Sequence, residues 1–261
     1  MDHPVIEQRG SVAKRAAAVI AMVMAAVVAA CGSSGSEGEE PPVAFLLSDA
    51  TSSFVDFSED CVKDFMNVAR ATAERGGDLY AGPLVTGDPY RQPWTIEAHF
   101  EAASPSSIEG NRTLERAHRL RQVDRLEQRF GEMVQERAEI GGSPVLDALA
   151  RVADFRTQRA ADRPFSVLVC SDLANIDATL DTRREITPEQ VGSAVDEWSR
   201  KLNALHGSDL YFVGVGRLRP GSKARPESIA QMKRVLRAVA ERIGARVRVI
   251  DTQLGDQFPV S

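Results

Sequence analysis

Three short stretches of the chain carry residue types at spacings that could do chemistry. Asp49-Ala50-Thr51-Ser52-Ser53 sets a carboxylate and two hydroxyls at alternate positions. Gly141-Gly142-Ser143-Pro144 offers another hydroxyl, and Cys170-Ser171-Asp172 ends on a second carboxylate. Their carboxylates and hydroxyls supply oxygen donors alone. Hard cations want such donors: Mg²⁺ takes near-octahedral oxygens at about 2.0–2.1 Å and keeps part of its water, and Mn²⁺ accepts the same set. Zinc is a poor match, because the set holds no Cys or His. With only two carboxylates around it, the cation would stay electrophilic, so a carboxylate from another molecule could displace a water. Taken singly, each stretch reads equally well as an ordinary helix cap. The weight comes from the three occurring together, each beside the end of a strand or the start of a helix.

The elements that must position these residues alternate between short apolar runs and helical spacing. Val43–Leu47 is a continuous apolar run, as a buried parallel strand requires. Apolar residues at helical spacing then run over 54–75, closed by Gly76-Gly77. Strand candidates follow at 78–85 and 94–99, joined so that one of them runs antiparallel. A long charged segment over 113–139 shows one apolar face (Leu114, Ala117, Leu120, Val123, Leu126, Phe130, Met133) and predicts a single peripheral helix. Beyond it come a helix over 145–159, a strand over 165–171, a helix over 188–205, a strand over 210–215, a helix over 227–243 and a strand over 246–250. This alternation predicts an α/β fold with one mostly parallel, doubly wound sheet covered by helices on both faces. Open sheets of this kind place their sites beyond the carboxyl ends of the strands, where all three loops fall.

Asp-x-Thr-x-Ser after a hydrophobic strand, Gly-Gly-Ser-Pro before a helix and a strand-terminal Ser-Asp resemble a von Willebrand factor type A domain. Leu210-Tyr-Phe-Val-Gly-Val-Gly216 is similar to that family's fifth strand. The resemblance covers residues 43–252 and implies six strands in the order 3-2-1-4-5-6 with one antiparallel edge strand. It also implies a metal-ion-dependent adhesion site built from Asp49, Thr51, Ser53, Ser143 and Asp172. Thr51 and Ser143 exchange Ser and Thr relative to the family pattern, and each keeps its hydroxyl. Leu173 follows Asp172 where the family often has Gly, which bears on the shape of the third loop. The cofactor implied is Mg²⁺ or Mn²⁺, and the partner is a protein presenting an Asp or Glu carboxylate.

The N-terminus reads as an address. Lys14-Arg15 precedes an unbroken apolar run over 16–30, and Cys31-Gly-Ser-Ser follows at once. That run would make a helix of roughly 22 Å, too short for a hydrocarbon core of about 30 Å. It predicts a signal peptide over 1–30. The segment Val28-Ala-Ala-Cys31 resembles a bacterial lipobox, which implies lipid on Cys31 and anchorage at the extracytoplasmic face of the cell membrane. Residues 31–42 form a Gly- and Ser-rich tether, 43–252 the domain, and 253–261 a tail.

Other features exclude more than they assign. The chain has 37 acids against 32 bases, a formal net charge of −5, without the basic run of a nucleic-acid binder. There is no Gly-x-Ser-x-Gly elbow and no His-Glu-x-x-His. The four histidines show no ligand spacing. Cys61 and Cys170 could bridge outside the cytoplasm, but a buried pair of unlinked thiols is the expectation. These observations favour a non-enzymatic, membrane-tethered binding protein. A solute-binding lipoprotein of a transport system would share the leader and the architecture but needs two lobes. A Mg-dependent enzyme of phosphoryl chemistry would need a nucleophile or general base, and none stands out.

Overall fold

A computed structural model describes residues 40–49, 51, 54, 58–84, 94–102, 108–135, 143–176, 179–218 and 220–251. Ser53, Cys31, the leader, most of the tether and the tail lie outside the described residues. Six strands form one sheet: β1 (Val43–Ser48), β2 (Asp78–Pro83), β3 (Ile96–His99), β4 (Phe165–Cys170), β5 (Asp209–Val213) and β6 (Arg246–Ile250). Their spatial order is β3-β2-β1-β4-β5-β6, and only β3 runs antiparallel, pairing its Ile96 with Ala81 and His99 with Asp78. The fold is therefore α/β with β1 at the centre, as the alternation of runs requires.

All six residues of β1 are buried, which explains its uninterrupted apolar character. Successive side chains point to opposite faces of the sheet. Phe45, Leu47, Val167, Val169 and Phe212 pack under α4 (Val145–Arg159), α5 (Pro188–Lys201) and α6 (Pro226–Ile243). Ala44, Leu46, Leu168, Cys170 and Tyr211 pack under α1 (Ser58–Arg75) and α3 (Leu126–Gln135). α5 starts on a complete capping box, Thr187 with Gln190, and carries Pro188 in its first turn. It ends at Lys201, where a short 3₁₀ turn over Asn203–Leu205 takes up the rest of the expected helix.

Two expectations are corrected here. The charged segment is two helices, α2 (Glu109–Asp124) and α3, with the break at Arg125. Nor is it merely peripheral. Phe130 and Met133 are fully buried, and the Phe130 ring meets Phe65 of α1 edge-on at 5.7 Å. Leu114, expected on the apolar face, is 68% exposed. α2 is fastened by a buried cation instead. The Arg119 guanidinium donates to the carbonyls of Ala73, Glu74 and Glu101, so it satisfies the last turn of α1. The second correction concerns Cys61 and Cys170, which are joined as a disulfide with Cα atoms 6.0 Å apart. The first turn of α1 reaches the end of β4 there, so the two buried cysteines meet.

Candidate binding site at the carboxyl edge of the sheet

The register of the two central strands builds the site. Ser48 of β1 lies opposite Cys170 of β4, and the Asp49 amide continues the ladder by donating to the Cys170 carbonyl at 2.8 Å. This places Asp49 beside Ser171 just beyond the strand ends. Asp49 is only 2% exposed. Its Oδ2 accepts the Ser143 hydroxyl at 2.5 Å and the Ser171 hydroxyl at 2.7 Å. Its Oδ1 accepts the Thr51 amide at 3.0 Å. A buried carboxylate is tolerable only with such charge-assisted partners. Here they come from three separate loops.

The second loop is held to the third by Asn175, which is fully buried. Its Oδ1 accepts the Val145 amide at 3.0 Å and its Nδ2 donates to the Leu180 carbonyl at 2.9 Å. The residue before α4 is Pro144, whose side chain makes no cap. Asn175 therefore caps α4 from across the loop, and the Ile176 amide reaches the Ser143 carbonyl beside it. The third loop is turned by Leu173 at φ +60°, a left-handed conformation that a non-glycine residue adopts at a cost. Burial of the Leu173 side chain in the core offsets that cost. The loop keeps the path a glycine would favour and gains an apolar anchor. The Asp172 carbonyl accepts the Gly216 amide at 3.0 Å, and its Oδ1 accepts the Ala174 amide at 2.7 Å. Gly214, at φ +77°, leaves open the space where a Cβ would strike the Phe54 ring at 2.7 Å. Phe54 of the first loop can therefore seat against the end of β5.

Of the residues singled out above, direct contacts join Asp49 to Thr51 and Ser143. Asp172 is fully buried on the neighbouring loop, and the contact linking that loop to Asp49 is made by Ser171, one residue earlier. Ser53 lies outside the described residues. Ser171 and Asn175 are the additions. Ser171 stands within the quoted Cys-Ser-Asp stretch, and the pairing of β1 with β4 is the signal that would have marked it. Asn175 carries no local signal. Among the described residues no three His, Cys, Asp or Glu side chains are placed to hold a metal ion, so a cation here would draw on hydroxyls as well as the two carboxylates. The donor chemistry fits one. A hydroxyl that gives its proton to Asp49 keeps its oxygen lone pairs, and the whole set is oxygen.

The fold and these loops define a single α/β sheet with a polar cluster at its carboxyl edge. No protein-family model matches the chain, and no curated protein matches it. Among solved structures it is similar to the pilus adhesin SpaC from Lactobacillus rhamnosus GG in an open conformation, at 8% identity and a TM-score of 0.42. That likeness covers 82% of this chain and 28% of the adhesin, so the chain spans little more than a quarter of that protein's length.

Proposed function

We propose that this chain is a lipid-anchored extracytoplasmic protein whose domain, of the von Willebrand factor A type, binds a partner protein through a divalent cation. One observation carries the reading: a single buried carboxylate, Asp49, is the point on which hydroxyls from the second and third loops and an amide from the first converge. Asp49, Thr51, Ser143 and Asp172 are the described residues that would hold Mg²⁺ or Mn²⁺, with Ser53 completing the motif. When bound, the cation supplies a Lewis-acidic centre that attracts a partner's Asp or Glu. The chain's own contribution is preorganisation. Ser143 and Ser171 aim their protons at Asp49, which turns their lone pairs away from it and neutralises part of its charge. Cys31 would carry the lipid and residues 32–42 the tether.

Titration calorimetry with Mg²⁺ and Mn²⁺ tests the site, and capture from the native envelope with and without chelator tests the partner. Heat of binding at millimolar metal and chelator-sensitive capture are the expected results. No uptake of either ion overturns the reading. A small molecule that stabilises the protein without metal would point instead to a solute-binding lipoprotein.

A further inference from the structure

Cys170 holds the chain on both sides of the first loop. Its backbone carbonyl receives the Asp49 amide where the loop leaves β1. Its side chain is bonded to Cys61, in the first turn of α1, where the chain returns from that loop. Its neighbour Ser171 donates to the Asp49 carboxylate. Both ends of the segment that carries Asp49 and Thr51 are thus fixed to one residue of the central strand pair, and one of the two fixings is covalent.

We infer that the Cys61–Cys170 disulfide is a positioning element of the site, which holds the Asp49 loop in register with Ser143 and Ser171. The inference rests on the cation-site reading for its functional consequence. The rest of α1 does not need the bond. Phe65, Met66, Val68 and Ala69 are buried against the sheet, and the helix stays docked through them. Among the described residues its first turn is also tied to the carboxyl edge by the ion pair of Asp60 with Arg217 at 2.6 Å, with both side chains partly exposed. Pairs of that kind hold weakly. Breaking the covalent link therefore loosens the first turn and, through it, the Asp49 loop, whose Phe54 stays packed against the end of β5, while the sheet and the remainder of α1 persist. A dithiol reductant does this in a balanced exchange: the protein disulfide becomes two thiols and the reagent becomes its own disulfide. The site would then hold its geometry in an oxidising compartment and lose it under reducing conditions.

The test compares the full chain in three forms: oxidised, reduced with a dithiol, and Cys61→Ala. The probes are Mn²⁺ alone, followed by loss of the free-ion spin-resonance signal, and amide hydrogen exchange. The expected result is at least tenfold weaker Mn²⁺ binding in the reduced and Cys61→Ala forms. Exchange at the Asp49 and Thr51 amides should rise at least tenfold, with the amides of β5 and β6 unchanged. Equal exchange at Asp49 and Thr51 in all forms overturns the inference, and so does a uniform rise across every strand, which would mark a general staple. If the oxidised protein takes up no Mn²⁺, the cation-site reading fails, and the exchange comparison alone decides the positioning role. Should Cys61→Ala not fold, the dithiol-treated natural chain gives the same comparison.

Discussion

Asp49 is the structural centre of the polar cluster at the carboxyl edge. It lies on a loop, yet it is buried and accepts from Thr51, Ser143 and Ser171. Replacing it with Ala leaves two buried hydroxyls and an amide without their acceptor, each costing about 1–3 kcal/mol when stranded. Asp49→Ala should therefore abolish Mn²⁺ uptake and also lower stability by a few kcal/mol, measured by denaturant unfolding. A variant as stable as the natural chain would show that these contacts contribute little. Leu173 offers a second trial of opposed effects. Glycine would relieve about 1–2 kcal/mol of left-handed strain, but a buried Leu truncated to Ala already costs about 3–5 kcal/mol. Burial wins, so Leu173→Gly should destabilise the domain although its backbone angle favours glycine. A raised melting temperature would mean that strain outweighs burial at this position.

At the scale of elements, the central strand was legible because a buried parallel strand has no polar face to blur its apolar run, and the edge strand β6 because its charged and apolar residues alternate. Val43–Leu47 and Arg246–Ile250 stand where the runs placed them, with one further residue on the first. The ends of 145–159 also coincide with α4. The break at Arg125 was not legible: Val123, Leu126 and Phe130 continue one helical stripe, and both helices bury those residues. Of the polar cluster, Asp49, Thr51 and Ser143 were legible in residue type, and its supports less so. The hydrogen bond from Ser171 to Asp49 spans 122 positions, and that from Val145 to Asn175 spans 30. No local window contains such pairs, and only strand order brings them together. The split between packing and exposure also yields a contrast. Phe130→Ala should cost about 3–5 kcal/mol, whereas Leu114→Ala should change stability by less than about 0.5 kcal/mol. Unfolding midpoints of the two variants check it, and similar values would contradict the division of the charged segment into core and surface parts.

Across the whole domain, the two edges of the sheet do different work. The carboxyl edge gathers Asp49, Ser143, Ser171 and Asp172. The amino edge, where the chain enters β1, is tied by ion pairs. Arg163 bonds Asp78 and the carbonyls of Pro41 and Pro42, His99 meets Asp78 from β3, and Arg246 and Arg248 both reach Asp209. Burial raises the pKa of Asp78 and of Asp209, but the hydrogen bonds and charges of their partners outweigh it and hold both below the usual aspartate value. The sign follows directly. A carboxyl whose folded pKa is depressed contributes stability that is complete above its unfolded pKa, near 4, and is lost as pH falls through the folded value. Between pH 7 and 5 these groups should leave stability unchanged, and below about pH 4 it should fall. Asp209→Asn should be less stable than the natural chain at pH 7 and should lose less of its stability on going to pH 3, because one linked proton is gone. Denaturant unfolding at both pH values measures the difference. An Asp209→Asn chain that loses stability in acid as steeply as the natural one would place the acid sensitivity elsewhere than this edge.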